Sequence, residues 1–307
     1  MNSPADWFTA TWFNVGRMAV KKKNNIIVAV VSIFLLAGII LVSMVGTMLP
    51  SVSSVSSSAD DQFVMVNKSK MRFKVYDKGG KPIIFLHGFG GDLTTWEPLI
   101  QSMRCGRLFG LDLIGFGLSD RPDINYSLEL QSQYLLSFMD KVGIKNAILS
   151  GTSMGASLAL WTASKYPNRI DGICAFAPSA YPGSMRHRWP GDLIYRPNML
   201  NAFLGKMAST EIYKWLFPRS LARQALNVTA SYDKTFVEAL KKIKQPVLLV
   251  WSESDQRVPY SYNLVYKELL PQAQFLQAPA EAGHSAARFP LPEITEWLCQ
   301  AASATKN

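Results

Sequence analysis

Residues 147–165 read AILSGTSMGASLALWTASK, and this stretch carries the strongest structural signal in the chain. It begins with an apolar run suited to a buried strand and ends with a run that favours a helix. Between the two, Gly151 and Gly155 flank Ser153 in the pattern Gly-x-Ser-x-Gly. A sharp turn between strand and helix leaves no room for bulky side chains beside the serine and strains the serine backbone. The stretch therefore predicts a strand, a tight turn and a helix, with Ser153 at the turn as a candidate nucleophile.

The sequence on either side extends this pattern into an α/β domain. From residue 62 onward, short β-rich runs alternate with amphipathic helical runs. The predicted strands are 62–67, 72–76, 82–87, 107–112, 147–150, 170–176, 246–251 and 274–276, and the predicted helices lie near 96–103, 128–142, 154–166, 260–270 and 291–302. Such alternation predicts a mostly parallel eight-stranded sheet with helices on both faces. Residues 181–244 break the alternation, and their helical apolar stripe from Met199 to Met207 predicts an inserted helical cap.

An uncharged, apolar stretch from Ile26 to Leu49 precedes the domain. As a helix with a rise of about 1.5 Å per residue, it is long enough to cross a hydrocarbon core of about 30 Å. A cleaved signal peptide and a buried core helix are the alternatives. The stretch is too long for the apolar region of a signal peptide and lacks an A-x-A-like cleavage site. A buried core helix would have a polar face, and this stretch has none. Lys21 to Lys23 flank only its N-terminal end, which predicts a cytoplasmic N-terminus.

These features predict four segments. They are a cytoplasmic tail over 1–25, a transmembrane signal-anchor over 26–49, a serine-rich linker over 50–61 and a catalytic domain over 62–307, with the cap at about 181–244. The catalytic domain is expected on the non-cytoplasmic side of the membrane, which is periplasmic, lumenal or extracellular.

Composition and charge argue against several other functions. The formal net charge is +10, but no basic stripe interleaved with aromatic residues is present, so we expect no nucleic-acid partner. The 3 cysteines are odd in number and far apart, which argues against a disulfide framework and gives no metal-ligand spacing. We expect Cys105, Cys174 and Cys299 to be isolated thiols in apolar surroundings, and we expect no metal or other cofactor.

A nucleophilic serine needs a base, and the base needs an acid that orients it. We predict that the base is His284, which follows the last predicted strand and is preceded by Gly283, a residue that lets the backbone turn. We predict that the acid is Asp255, which follows the strand at 246–251 and keeps the chain order serine, acid, histidine. Glu253 is the alternative acid, since either carboxylate type can serve.

Acyl transfer also needs backbone donors aimed at the negative charge that develops on the substrate oxygen. The loop HGFGG, residues 87–91, follows the third predicted strand and supplies such donors. We predict an oxyanion hole formed by the N–H groups of Phe89 and Met154, the second being the residue after the candidate nucleophile. His87 itself is expected to be a hydrogen-bonded structural residue rather than a second base.

Five ordered motifs resemble those of the α/β-hydrolase superfamily: HGFGG at 87–91, DLIGFGLSD at 112–120, GTSMG at 151–155, SESD at 252–255 and AGH at 282–284. The resemblance implies the α/β-hydrolase fold and a Ser-His-Asp triad. A single-pass anchor with a GTSMG turn resembles membrane-bound monoacylglycerol lipases and carboxylesterases. Ser252 departs from the glycine that the family usually has. Haloalkane dehalogenases and epoxide hydrolases share the motif at 112–120 but carry aspartate in place of Ser153.

Together these features predict a serine hydrolase that cleaves carboxylic esters through an acyl-enzyme. The expected partner is a small-molecule or lipid ester. An acyl lipid monoester is favoured because the anchor keeps the domain near a bilayer and the cap carries Trp215 to Phe217 between basic residues. Hydrolysis of a carbon–carbon bond or a thioester on the same triad is an alternative. A non-catalytic membrane-tethered binding protein on a hydrolase scaffold is a further one, which the presence of all three triad residues disfavours.

Overall fold

A computed structural model describes residues 28, 30–35, 37–38, 56–184, 228 and 232–303. The chain divides into two compact units, Met1–Leu49 and Pro50–Asn307. The predicted tail, most of the predicted anchor, residues 50–55 of the predicted linker and most of the predicted cap lie outside the described residues. The described residues from 28 to 38 are helical. Within the part of the chain that is described, no helix combines the length and the apolar character needed to cross a membrane.

A twisted eight-stranded sheet forms the centre of the second unit. Its strands are β1 (Gln62–Val66), β2 (Ser69–Asp77), β3 (Pro82–Leu86), β4 (Arg107–Leu111), β5 (Ala147–Thr152), β6 (Ile170–Phe176), β7 (Val247–Ser252) and β8 (Gln274–Ala278). They lie in the order β1-β2-β4-β3-β5-β6-β7-β8. Strand β2 is antiparallel to both of its neighbours, and every other neighbouring pair is parallel. The predicted mostly parallel sheet of eight strands is therefore confirmed.

Helices cover both faces of this sheet. They are α1 (Glu97–Ser102), α2 (Leu128–Lys141), α3 (Met154–Lys165), α4 (Lys234–Leu240), α5 (Tyr262–Leu269) and α6 (Pro292–Ser303). Side chains of successive strand residues point to opposite faces, so Ile84 packs in one hydrophobic core whereas Ile83 and Phe85 pack in the other. The first core contains buried residues of α2, α3, α4 and α5, and the second contains those of α1 and α6. This two-sided burial explains why the central strands are almost wholly apolar.

Two of the three cysteines are paired, which corrects the expectation of isolated thiols. Cys105, in the loop before β4, forms a disulfide with Cys299 on α6, and the two Cα atoms are 5.6 Å apart. The two cysteines are separated by 194 positions in the sequence, and no local pattern predicts this contact. The sheet nevertheless brings α6 against the same core as α1 and β3, and so places Cys299 beside the loop after α1. Cys174, in contrast, is free and buried, as predicted.

The start of the second unit is held by buried ion pairs. Asp61 Oδ1 lies 2.7 Å from Arg72 Nη2, and Arg72 Nη1 lies 3.3 Å from Asp112 Oδ2. The other Asp61 oxygen accepts a hydrogen bond from the Ser58 N–H at 2.8 Å. Asp61, which the sequence places at the end of the linker, therefore contacts the domain through Arg72.

Candidate active site

The predicted site residues follow strands that end at one edge of the sheet. Strands β3, β5, β7 and β8 are parallel, so their C-terminal ends lie at the same edge. The HGFGG loop follows β3, Ser153 follows β5, Asp255 follows β7 by a short turn and His284 follows β8. In open α/β sheets, ligands bind at this edge because the loops there converge.

Ser153 sits in a strained conformation between β5 and α3. Its backbone has φ 54° and ψ −112°, a region that residues with a side chain rarely occupy. The surroundings hold it there, because its N–H donates to Phe176 O at 2.8 Å and its carbonyl oxygen accepts from the Ser157 N–H at 3.0 Å. A Cβ on Gly155 would overlap the carbonyl oxygens of Leu86 and His87, so only glycine lets α3 approach β3 this closely. The turn therefore has the geometry that the Gly-x-Ser-x-Gly pattern predicts.

Asp255 and His284 are joined by a hydrogen bond. His284 Nδ1 lies 2.8 Å from Asp255 Oδ2. Asp255 Oδ1 accepts from the N–H groups of Arg257 at 2.9 Å and Val258 at 3.0 Å, so both carboxylate oxygens have partners. An ionised carboxylate can only accept, which places a proton on Nδ1 and leaves Nε2 of a neutral imidazole free to act as a base. The pair thus has the arrangement of a base and its orienting acid.

The structure separates the two candidate acids. The Asp255 side chain is fully buried, whereas Glu253 is exposed and its Oε2 accepts from Gln277 Nε2 at 3.2 Å. It is therefore Asp255, not Glu253, that contacts His284.

Ser153 Oγ makes no hydrogen bond to any described residue, and Ser153 is 8% exposed. Catalytic hydrogen bonds to a serine nucleophile often form only in the substrate complex.

The HGFGG loop passes directly beside Ser153. A Cβ built on Gly88 would lie 3.4 Å from Ser153 Cβ. In the part of the chain that is described, neither the Phe89 N–H nor the Met154 N–H donates a hydrogen bond. The Met154 N–H is also the first of α3, where the aligned peptide dipoles favour negative charge. Among the described residues, both predicted oxyanion donors are therefore N–H groups without a hydrogen-bond acceptor.

His87 is buried and neutral. Its Nδ1 donates to Gly88 O at 2.7 Å, and its Nε2 accepts from the Leu113 N–H at 3.1 Å, so both ring nitrogens are used within the fold. Burial lowers the pKa of His87, against the opposing effect of the nearby Asp112 carboxylate. This is the structural role that the sequence suggests for it.

Sequence reasoning missed two sets of residues around the site. The buried carboxylate of Asp112 accepts from the N–H groups of Leu93 and Leu118, each at 2.7 Å, and so ties the chain after the HGFGG loop to β4. The hydroxyl groups of Ser252 and Ser254 contact the segment that carries His284. The only sequence signal for the second set was the serine at 252 in place of the usual glycine. Among the described residues, no group of three or more His, Cys, Asp or Glu could hold a metal ion.

Comparisons with known proteins agree with this architecture. The family model described as alpha/beta hydrolase fold matches residues 81–212. The AB hydrolase superfamily protein YisY of Bacillus subtilis is 28% identical over 235 residues, which cover 67% of this chain and 86% of that protein. Lipase 3 of a Moraxella species is 26% identical over 230 residues, which cover 67% of this chain and 72% of that protein. A haloalkane dehalogenase of Agrobacterium fabrum is 31% identical over 160 residues, but the match spans 48% of this chain and only 51% of that protein.

Solved structures show the same fold. The enol-lactonase from Burkholderia xenovorans superposes with a TM-score of 0.62 at 20% identity, covering 78% of this chain and 99% of that one. A meta-cleavage product hydrolase from Pseudomonas fluorescens gives a TM-score of 0.60 at 20% identity, covering 78% and 96%. At such identities the likeness concerns the fold alone.

Proposed function

We propose that this chain belongs to the α/β-hydrolase superfamily and that it hydrolyses carboxylic esters through an acyl-enzyme formed on Ser153. The observation that carries the proposal is the Asp255–His284 hydrogen bond at the sheet edge where Ser153 sits in its strained turn. A buried carboxylate bonded to a histidine, at the same sheet edge as a strained serine, supports a Ser-His-Asp triad for acyl transfer.

In this mechanism, Ser153 Oγ attacks the ester carbonyl carbon while His284 Nε2 takes the hydroxyl proton. The imidazolium that forms is stabilised by Asp255, which accepts from Nδ1. His284 then gives the proton to the departing alcohol oxygen, and an acyl group remains bonded to Ser153. A water molecule activated by the same nitrogen cleaves the acyl-enzyme and releases the acid.

The N–H groups of Phe89 and Met154 stabilise the oxygen that becomes negative in each tetrahedral intermediate. The supporting observations are that both groups lack a partner among the described residues and that the Gly88 backbone passes close to Ser153. Fixed donors of this kind contribute about 10²- to 10³-fold to kcat each, because they need no rearrangement as charge develops.

Serine at position 153 favours an acyl substrate over a haloalkane, although the relatives include haloalkane dehalogenases. If Ser153 Oγ displaced a halide, the product would be an alkyl ether on the protein. Water attacks such an ether poorly because it has no carbonyl carbon, so the cycle would stop. An acyl ester on Ser153 can be hydrolysed, and the cycle then continues.

The favoured substrates are acyl lipid monoesters at a membrane to which residues 26–49 anchor the domain, on its non-cytoplasmic side. The uncharged run and the lysines before it support the anchor and its orientation. The Cys105–Cys299 disulfide supports the location independently, since such bonds persist in oxidising compartments and are rare in the cytosol.

Labelling with a fluorophosphonate probe tests the proposal. We expect the wild-type chain to be labelled and to release acid from p-nitrophenyl butyrate, and Ser153→Ala to do neither while folding normally. Ser164→Ala is the matched control, because Ser164 lies at the far end of α3 and its Oγ donates only to Trp161 O. Labelling that persists in Ser153→Ala overturns the assignment of Ser153 as the nucleophile. A wild-type chain that is neither labelled nor active on any ester, thioester or diketone overturns the enzyme assignment.

A further inference from the structure

Two serine hydroxyl groups connect the turn of Asp255 to the segment of His284. Ser252 Oγ donates to Pro279 O at 2.8 Å, and Ser254 Oγ donates to Ala280 O. A carbonyl oxygen can only accept, so each hydroxyl hydrogen is committed to its carbonyl. Ser252 Oγ in turn accepts from the Ser254 N–H at 3.4 Å. The end of β7 and the turn that follows it are thus joined to the His284 segment by side-chain hydrogen bonds.

These bonds begin where the backbone pairing of β7 and β8 ends. The last paired residues are Ser252 and Ala278, and beyond them the chains form the acid turn and the short helical segment Ala280–Arg288. Asp255 and His284 both lie past this point, so their hydrogen bond joins two loops that no strand pairing holds together. The two hydroxyl groups extend the contact between the two chain segments past the last strand pair, as far as Ser254 on one segment and Ala280 on the other.

The second hydroxyl also lies next to the residue that precedes the histidine. Gly283 has φ 48° and ψ −133°, a kink that interrupts the helical segment just before His284. The nearest atom to a Cβ built on Gly283 is Ser254 Oγ, at 3.9 Å. Ser254 therefore contacts the start of the His284 segment and also borders its kink.

We propose that Ser252 and Ser254 are positioning residues that hold the Asp255–His284 hydrogen bond in its working geometry. They do not touch the substrate, and they act through the acid and the base. The inference rests on the proposed function, because a working geometry has meaning only if His284 is the catalytic base.

We expect the protein to remain folded when these hydroxyl groups are removed. Pro279 O still accepts from the Ala282 N–H at 3.0 Å when Ser252 is replaced by alanine. Ser254 is exposed, so its replacement buries no unpaired group. Ser132→Ala is the matched control: Ser132 is fully buried and its Oγ is hydrogen-bonded to Thr162 Oγ1 at 2.8 Å, but it lies between α2 and α3. An effect of lost buried hydrogen bonding alone would appear in this control as well.

Steady-state kinetics supply the first test. The double variant Ser252→Ala/Ser254→Ala is expected to lower kcat on p-nitrophenyl butyrate by about 10- to 100-fold with KM changed less than about twofold, because small displacements of catalytic groups cost this much. In the Asp255→Asn background, the same two substitutions are expected to change kcat by less than about twofold, since their route through Asp255 is already broken. Ser254→Thr, which keeps a hydroxyl, is expected to retain most of the activity. A kcat as high as in Ser132→Ala, or a full loss that persists in the Asp255→Asn background, overturns the proposal.

A spectroscopic test separates this inference from the proposed function. The chain has 3 histidines, so ¹⁵N-histidine labelling gives a simple spectrum in which the Nδ1 proton of His284 is assigned by its loss in His284→Ala. This signal is expected to be protected from exchange in the wild type and in Ser132→Ala, and broadened by exchange in the double serine variant. If the wild type has no esterase activity and the double variant shows this broadening, the proposed function fails, and only the effect of the two serines on the Asp255–His284 hydrogen bond remains. An unchanged signal in the double variant overturns the positioning role whatever the activity.

Discussion

At the scale of single residues, Asp255 and Glu253 are two positions apart in the sequence but differ in their exposure to solvent. Asp255 is buried with three hydrogen bonds, whereas Glu253 is exposed. Asp255→Asn is expected to lower kcat by about 10⁴-fold, because an amide that donates to Nδ1 stabilises the wrong tautomer of His284. Glu253→Gln is expected to change kcat by less than about twofold, as is usual for an exposed polar group outside the site. Equal losses in the two variants, measured on p-nitrophenyl butyrate, would contradict the assignment of the acid.

The contact between Asp255 and His284 was predictable from the sequence, because residue type and chain order constrain which groups can form such a pair. The catalytic roles of these residues stay a prediction. Few residues can activate a serine, and the order of Ser153, Asp255 and His284 left only Glu253 as a rival. The contacts of Ser252 and Ser254 were not predictable. They depend on which carbonyl groups lie opposite each hydroxyl across two loops, and no local pattern encodes this.

At the scale of elements, the eight strands could be located because buried strands of a parallel sheet form apolar runs. Their ends could not be fixed to the residue. The strand predicted at 246–251 is Val247–Ser252, which makes Ser252 the last paired residue, and the strand predicted at 72–76 extends over Ser69–Asp77. Strand ends depend on hydrogen bonds to a neighbouring strand, so sequence periodicity alone gives them poorly. For the same reason, the contact of α6 with the loop before β4, and with it the disulfide, was missed.

The Cys105–Cys299 disulfide links the loop before β4 to α6 and should stabilise the fold of the second unit. It closes a loop of 194 residues, and native bonds of this type contribute about 2–5 kcal/mol by restricting the unfolded chain. We expect dithiothreitol to lower the Tm of the wild type by several degrees and to leave Cys105→Ser/Cys299→Ser unchanged, as measured by circular dichroism. Cys174 does not complicate this comparison. It is a free thiol, and burial raises its pKa and keeps it unreactive in the folded protein. A wild-type Tm that does not respond to the reductant would contradict the stabilising role.

At the scale of the whole molecule, the proposed anchor and the catalytic domain should together determine which esters are cleaved. A linker of about ten residues spans roughly 20 Å, so an anchored domain stays close to the lipid surface. The sequence at Trp215 to Phe217, flanked by Lys214 and Arg219, has the apolar and basic character suited to a lipid interface. An anchored enzyme of this kind meets its substrate at a far higher local concentration than a freely diffusing one does.

The last prediction therefore concerns acyl-chain length and the membrane. For the full chain, kcat/KM is expected to rise from acetyl to decanoyl monoesters and to exceed that for triacylglycerols, because longer chains bury more apolar surface in the site. Removal of residues 1–49 should leave kcat/KM for dissolved butyrate esters within about twofold, yet lower turnover of vesicle-borne monoesters by at least about tenfold through the lost local concentration. Replacement of residues 26–49 by an unrelated single-pass helix should restore that turnover and serves as the control. A kcat/KM that falls steadily from acetyl to decanoyl, with or without micelles, would remove the lipid assignment, whereas equal turnover of vesicle substrates after truncation would remove the anchor.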